Sequence, residues 1–163
     1  DLATISGVYG AYPVPHFFGI PLRYYPDRWP ELDPTVRLSV AEIEQLDAQT
    51  VLNSPMMEVL FEQMELMEGE WGAIHGYLNW QGVLNNAFNI RGQEIFLDLA
   101  DRPAFVHAFF DLITEVMIAF ASRVQERQRA SGYSINQFSH HPVRWLNIIP
   151  ANAVNTNHII NSK

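Results

Sequence analysis

Apolar side chains recur at helical spacing through the middle of the chain, and this pattern predicts its main helices. The clearest run follows Asp101-Arg-Pro103, where apolar residues keep to one face over residues 103–130 and charged residues lie off that face. Ser54-Pro55 opens a second helix that runs to about Glu68, because serine caps a helix and proline suits its first turn. The apolar face of the long helix consists of Phe105, Phe109, Leu112, Ile113, Val116, Met117, Phe120 and Val124.

Start and stop signals place the shorter helices. Ser39-Val-Ala-Glu42 is a capping box, in which the serine and glutamate side chains satisfy each other's backbone N–H groups. Helical spacing from Trp80 to Ile90 ends at Gly92, and another short helix follows over Gln93 to Ala100. Pro15 to Gly19 predicts a single helical turn.

Extended segments are predicted between these helices, at Leu2 to Tyr9, Ile20 to Tyr25, Trp71 to Leu78 and Val143 to Ile149. Alternation of strands with helices indicates an α/β fold with parallel strands. A complete (β/α)₈ barrel needs about 250 residues, so the 163 residues form a single partial domain, about half of such a barrel. A half-barrel exposes sheet edges, and we therefore expect an oligomer or an additional chain that completes it.

Composition narrows the functional classes. The net charge of -8 has the wrong sign for a surface that follows phosphates, which argues against nucleic-acid binding. We find no apolar run of the roughly 18 residues that a membrane span needs and no signal peptide, so we expect a soluble, cytoplasmic protein. The chain has no cysteine, so any metal would need histidine and carboxylate ligands, and no metal site is predicted.

Two groups of residues, taken in their order along the chain, resemble motifs of the uroporphyrinogen decarboxylase superfamily, which also includes corrinoid methyltransferases. One set is the segment from Gly82 to Gly92, followed by Glu94, Leu97, the step from Asp98 to Pro103 and a long amphipathic helix. The other is Pro15, Phe17 and Gly19, ahead of the predicted strand at residues 20–25. The resemblance covers about residues 1–130 and implies a barrel whose active cleft lies at the carboxyl ends of its strands.

The resemblance also implies which chemistry to expect. The decarboxylases place an aspartate and a tyrosine where this chain has Gly10 and Phe88, so corrinoid-linked methyl transfer is favoured. That activity implies zinc and a corrinoid as cofactors, with zinc ligands outside this chain, and a small molecule or a corrinoid protein as partner. Two alternatives stay open, namely a tetrapyrrole decarboxylase and a non-catalytic partner subunit or small-molecule binding domain.

The candidate substrate-binding residues surround the end of the predicted strand at residues 71–78. In a barrel His75, Tyr77 and Asn79 lie at the mouth, where they would orient substrate or a corrinoid, although a hydrogen-bonded histidine at a strand end is the simpler interpretation. Asn85 and Phe88 belong to the next helix. Asparagine is a poor helix former, so Asn85 and its neighbours Asn86 and Asn89 indicate either a polar cleft or solvent exposure.

Three further groups of residues have simpler structural explanations. His140-His141-Pro142 reads as solvated loop, since adjacent side chains point in different directions. The aromatic residues at 17–18, 24–25 and 29 could hold a flat ligand but more often form core. The methionines near residue 57 predict core packing, and Glu58, Glu62 and Glu65 predict a solvated helix face.

Overall fold

The computed structural model describes residues 9–72 and 81–130, of which about two-thirds are helical. The last helix of the described part is the longest and has the bounds that the sequence predicts, Pro103–Ala130. The elements are α1 (Pro13–Phe17), β1 (Leu22–Arg23), β2 (Glu31–Leu32), α2 (Val40–Glu44), α3 (Ala48–Leu52), α4 (Pro55–Trp71), α5 (Val83–Arg91), α6 (Glu94–Asp101) and α7 (Pro103–Ala130).

Local capping explains where several helices begin. The predicted capping box is confirmed at α2, where Ser39 Oγ accepts from the Glu42 N–H at 3.2 Å and the Glu42 carboxylate accepts from the Ser39 N–H at 2.7 Å. Ser54 caps α4 in the same way, accepting from the N–H of Met57. Helix α3 was not predicted, although Asp47 caps it by accepting from the Thr50 N–H at 2.7 Å.

Helix α7 forms the centre of the core and contacts α3, α5 and α6. The predicted apolar face is confirmed, since Phe109, Ile113 and Phe120 are almost completely buried. Phe17 of α1 packs edge-on against Phe120, with 4.8 Å between the ring centroids. The predicted core role of Met57 also holds, because 1% of this residue is exposed.

The predicted fold class is wrong. The structure is mostly helical, and in the described part of the chain its only strands form one antiparallel pair, Leu22 with Leu32 and Arg23 with Glu31. The connection over residues 24–30 is shorter than the dozen or more residues that a parallel crossover needs. The two extended segments can therefore pair only as a hairpin, which is not a piece of a (β/α)₈ barrel.

The strand predicted from Trp71 is also wrong where it can be compared. Trp71 is the last residue of α4, and Gly72 ends the helix with φ +80, a conformation in which glycine carries no side-chain penalty. Residues 73–80 lie outside the described part, as do residues 2–8 and 143–149 of the other predicted strands. Of the predicted strand at residues 20–25, only Leu22–Arg23 is confirmed.

Helix α7 corrects the expectation that no apolar run of the chain is long enough to span a membrane. Pro103–Val124 is long and apolar enough to cross a membrane. The same stretch supplies Ile113 and Phe120 to the buried core, and the core helix of a soluble protein has the same length and composition. The cytoplasmic location stays a prediction.

Candidate functional site

Helices α5 and α6 meet at a turn over Gly92 and Gln93, which we call the elbow. This region contains most of the residues that resemble the uroporphyrinogen decarboxylase superfamily. Gly82 precedes the helix, and Gly92 ends it with φ +82. Beyond the elbow, Asp98 of α6 accepts from Arg91 Nε at 2.8 Å, and these side chains are only 7% and 11% exposed. Arg91 also pairs with Glu94. The ion pairs of Arg91 with Asp98 and Glu94 therefore connect α5 to α6, so these residues have a structural role.

Three amide residues are linked by hydrogen bonds along α5, and we call Gln81, Asn86 and Asn89 the amide cluster. Asn86 is completely buried, and its Nδ2 donates to the backbone oxygen of Gln81 at 2.8 Å. Asn89 Nδ2 donates to Gln81 Oε1 at 2.9 Å. The cluster thus fixes the residue ahead of the helix from two successive turns.

One atom of the amide cluster has no hydrogen-bond partner among the described residues. Within that part of the chain Asn86 Oδ1 is buried and accepts no hydrogen bond, whereas Nδ2 also lies 3.6 Å from Met117 Sδ of α7. Rotating the amide would bring its oxygen against the Gln81 carbonyl, so the orientation is fixed. A buried polar atom without a partner costs about 1–3 kcal/mol. Asn86 therefore offers a strong acceptor to any donor that reaches it.

The sequence-predicted site residues do not converge in the described structure. His75, Tyr77 and Asn79 lie outside the described residues. Asn85 is exposed, and Phe88 is 37% exposed with its ring 5.8 Å from that of Phe96. The predicted pair therefore lies on the outer side of α5, while the acceptor is buried at Asn86, a residue that the sequence grouped with Asn85 without separating their faces.

Two polar side chains that the sequence analysis did not single out lie in and just before α1, namely His16 and Tyr9. His16 Nδ1 donates to the backbone oxygen of Ile20 at 2.9 Å, which leaves the lone pair of a neutral ring on Nε2. Burial lowers the pKa of His16. The hydroxyl of Tyr9 donates to Gln63 Oε1 at 3.1 Å, and burial raises the pKa of Tyr9 to about 12. Both rings are therefore neutral near pH 7. The sequence indicates this arrangement only through a histidine within the otherwise apolar segment Pro15 to Gly19.

The described residues do not suit a metal ion. Within residues 9–72 and 81–130, no group of three or more histidine, aspartate or glutamate side chains lies close enough together to hold one. The predicted aromatic group also separates, since Phe17 and Phe18 are core whereas Tyr24 and Trp29 are more than half exposed. His140 and His141 lie outside the described part.

Comparison with known proteins gives no further guide. No family model, curated protein or solved structure matches the chain.

Proposed function

We propose that this chain binds a small molecule through the amide cluster, with a corrinoid as the favoured ligand, in a protein that carries out corrinoid-linked methyl transfer. The observation that carries the proposal is the unpartnered, buried Asn86 Oδ1. The ordered residues from Gly82 to Pro103, which resemble the uroporphyrinogen decarboxylase superfamily, support the choice of ligand. An oligomer or a corrinoid protein as partner belongs to the same proposal.

The chemistry of the cluster suits carboxamides. Asparagine and glutamine amides both donate and accept hydrogen bonds, and the edge of a corrinoid carries primary carboxamide side chains that do the same. Gln81 and Asn89 are half-buried and meet such a ligand first. Asn86 is completely buried, so a carboxamide N–H would supply the donor to its Oδ1 only after side chains between α5 and α7 had moved.

Tetrapyrrole decarboxylase activity has less support, because the two positions that carry the decarboxylases' aspartate and tyrosine differ here. Gly10, at the position of the family's aspartate, has φ +57, and a Cβ there would lie 3.4 Å from Pro30 Cγ. A side chain at this position would therefore have to adopt a backbone conformation that L residues rarely adopt. Phe88, at the position of the family's tyrosine, has no hydroxyl group. Neither position can stabilise a protonated pyrrole ring.

The methyl transfer itself has a narrower basis. When bound, a corrinoid supplies a transferable methyl group, while the described residues bind and orient the ligand. Those residues do not fit zinc, because they contain no suitable ligand group. We therefore derive no thiolate chemistry from this chain.

The binding experiment is an absorbance titration of the full chain with hydroxocobalamin, and with uroporphyrin as a flat ligand that carries carboxylates. We expect hydroxocobalamin to bind more tightly. Asn86→Leu should weaken its binding by about three- to tenfold, the effect of one hydrogen bond worth roughly 0.5–1.5 kcal/mol. Asn85→Ala, an exposed change on the same helix, is the matched control and should leave affinity unchanged.

A stability measurement separates binding from folding. Asn86→Leu removes the unpartnered acceptor together with one donor, so the free energy of unfolding without ligand should stay within about 1 kcal/mol of the parent value. Tighter binding of uroporphyrin would favour the decarboxylase alternative. No binding of hydroxocobalamin, or equal binding by the parent and Asn86→Leu, would refute the proposal.

A further inference from the structure

A cleft of about 360 Å³ lies between the turn that joins α3 to α4 and helix α7, away from the amide cluster. Small-molecule sites occupy roughly 300–1,000 Å³, so this volume suits a small ligand. Its apolar wall consists of Leu52, Met57 and Phe61, and its charged groups are Glu58 and Arg123. We call it the α4–α7 cleft.

Arg123 supplies the positive charge of the α4–α7 cleft. Its Nη1 donates to the backbone oxygen of Leu52 at 3.0 Å, which holds the half-buried guanidinium at the end of α3. A guanidinium has five N–H donors, and in residues 9–72 and 81–130 no carboxylate lies within 4.0 Å of this one. Most of the other described arginines have an ion pair, namely Arg23, Arg28, Arg91, Arg102 and Arg127.

Glu58 supplies the negative charge. It lies in the first turn of α4, is exposed to solvent, and forms no ion pair with Arg123 or with any other side chain in the described part of the chain. The two charges therefore line one cleft without neutralising each other. The rest of the lining is mixed: Leu52, Met57 and Phe61 are apolar, whereas Asn53 and Ser54 are polar. Phe61 packs against Phe120 with 6.2 Å between ring centroids.

We propose that the α4–α7 cleft binds a zwitterionic α-amino acid with an apolar side chain. The carboxylate meets Arg123, whose planar fork of donors matches two carboxylate oxygens. The ammonium group meets Glu58, and the apolar side chain lies against the partly buried Phe61. An anion alone would leave Glu58 as an opposing charge, and a cation alone would leave Arg123 as one. Only a ligand with both charges matches both residues.

The test is isothermal titration calorimetry of the full chain with L-phenylalanine and two analogues of the same shape. Phenethylamine lacks the carboxylate, and 3-phenylpropionate lacks the ammonium group. We expect phenethylamine to bind about tenfold more weakly than phenylalanine, as for the loss of a charge-assisted hydrogen bond. For 3-phenylpropionate we expect a loss of about threefold, because Glu58 is exposed and its ion pair is weak.

Variants assign the two charges. Arg123→Met should weaken phenylalanine and 3-phenylpropionate by about tenfold and should not weaken phenethylamine. Glu58→Gln should weaken phenylalanine by about threefold and strengthen 3-phenylpropionate. Arg102→Met and Glu62→Gln are the matched controls, since both residues are exposed and lie outside the cleft, and neither change should alter affinity.

Several outcomes would overturn the proposal. They are no measurable binding of phenylalanine, an analogue that binds as tightly as phenylalanine, and an Arg123→Met variant of parental affinity. Arg123→Met also removes the bond to Leu52, so its fold is checked by circular dichroism. If it does not fold, Arg123→Lys and Glu58→Gln decide the question. Arg123→Lys keeps the charge but loses the planar pair of donors, so its affinity for phenylalanine should fall by about threefold, and unchanged affinity in both variants would overturn the proposal. These results are independent of corrinoid binding at the amide cluster.

Discussion

Replacing Asp98 by asparagine tests the structural role of the elbow between α5 and α6. The change keeps the size of the side chain and removes its charge. Arg91 is then left 11% exposed without its buried carboxylate partner, and only Glu94, which is 63% exposed, still pairs with it. Removing one partner of a buried ion pair typically costs 3–5 kcal/mol. Because Glu94 compensates in part, we expect Asp98→Asn to lower the free energy of unfolding by about 3 kcal/mol.

Urea denaturation measures this loss, through a lower midpoint at an unchanged slope. Arg102→Ala is the control on the same carboxylate, because Arg102 is 55% exposed and 3.9 Å from Asp98. Exposed pairs of this kind contribute about 0–1 kcal/mol. The two variants therefore separate the buried contact from the surface contact.

A double variant makes the reasoning sharper. Arg91→Met with Asp98→Leu removes both charges and fills the space with apolar side chains, which is often neutral or stabilising when a buried pair is replaced. We expect it to be more stable than Asp98→Asn alone. A cost below about 1 kcal/mol for Asp98→Asn, or a double variant no more stable than the single one, would show that Arg91 is not a buried charge in need of Asp98.

Two further predictions test the elbow glycine and the response to acid. Gly92→Ala should lower the free energy of unfolding by about 1–3 kcal/mol, because φ +82 with ψ -163 is essentially limited to glycine and the new Cβ would lie 3.3 Å from Arg37 Cδ. Gly69→Ala inside α4, with open space around it, should raise that free energy by about 0.5–1 kcal/mol in the same urea assay. Equal effects of the two substitutions would contradict this prediction. Bonds from the Thr35 hydroxyl and N–H, together with Arg23, lower the pKa of Asp33 from 3.8 to about 2, so its contribution is complete above pH 4 and is lost as the pH falls toward 2. Asp33→Asn should therefore flatten the fall of thermal stability between pH 4 and 2, with the rest of the fall remaining because the pKa values of Glu42 and Asp47 are also lowered by their capping bonds; an unchanged slope would refute the assignment.

Helix boundaries could be predicted because they depend on contacts over a few residues. Ser39 and Ser54 cap helices through bonds to backbone groups three residues away, and such bonds can be read directly from the sequence. The long helix could be predicted over its whole length, 103–130, since the apolar face repeats every three to four residues. Asp47 caps α3 in a similar way, but α3 was not predicted because Thr50 stands where the capping box at Ser39 has a glutamate.

The candidate site could be predicted only to the level of a helix. The three asparagines of α5 indicated an unusual polar helix, but the sequence did not say that Asn86 packs beneath α7 while Asn85 faces solvent. The packing of α5 on Met117, 31 residues away, decides that difference. Arg123 gave no signal at all, because it meets Leu52 across 71 residues of chain.

Taken alone, the sequence determined the helices and the apolar face of α7, because hydrogen bonds within one turn and the repeat of side chains around one helix require no distant partner. It did not determine how extended segments pair. Only the tertiary structure decided that Leu22 lies opposite Leu32 in an antiparallel hairpin. It also decided that Asn86 Oδ1 is buried and accepts no hydrogen bond from the described residues. Pairing and burial depend on residues that are far apart in the chain and come together only when the whole core packs.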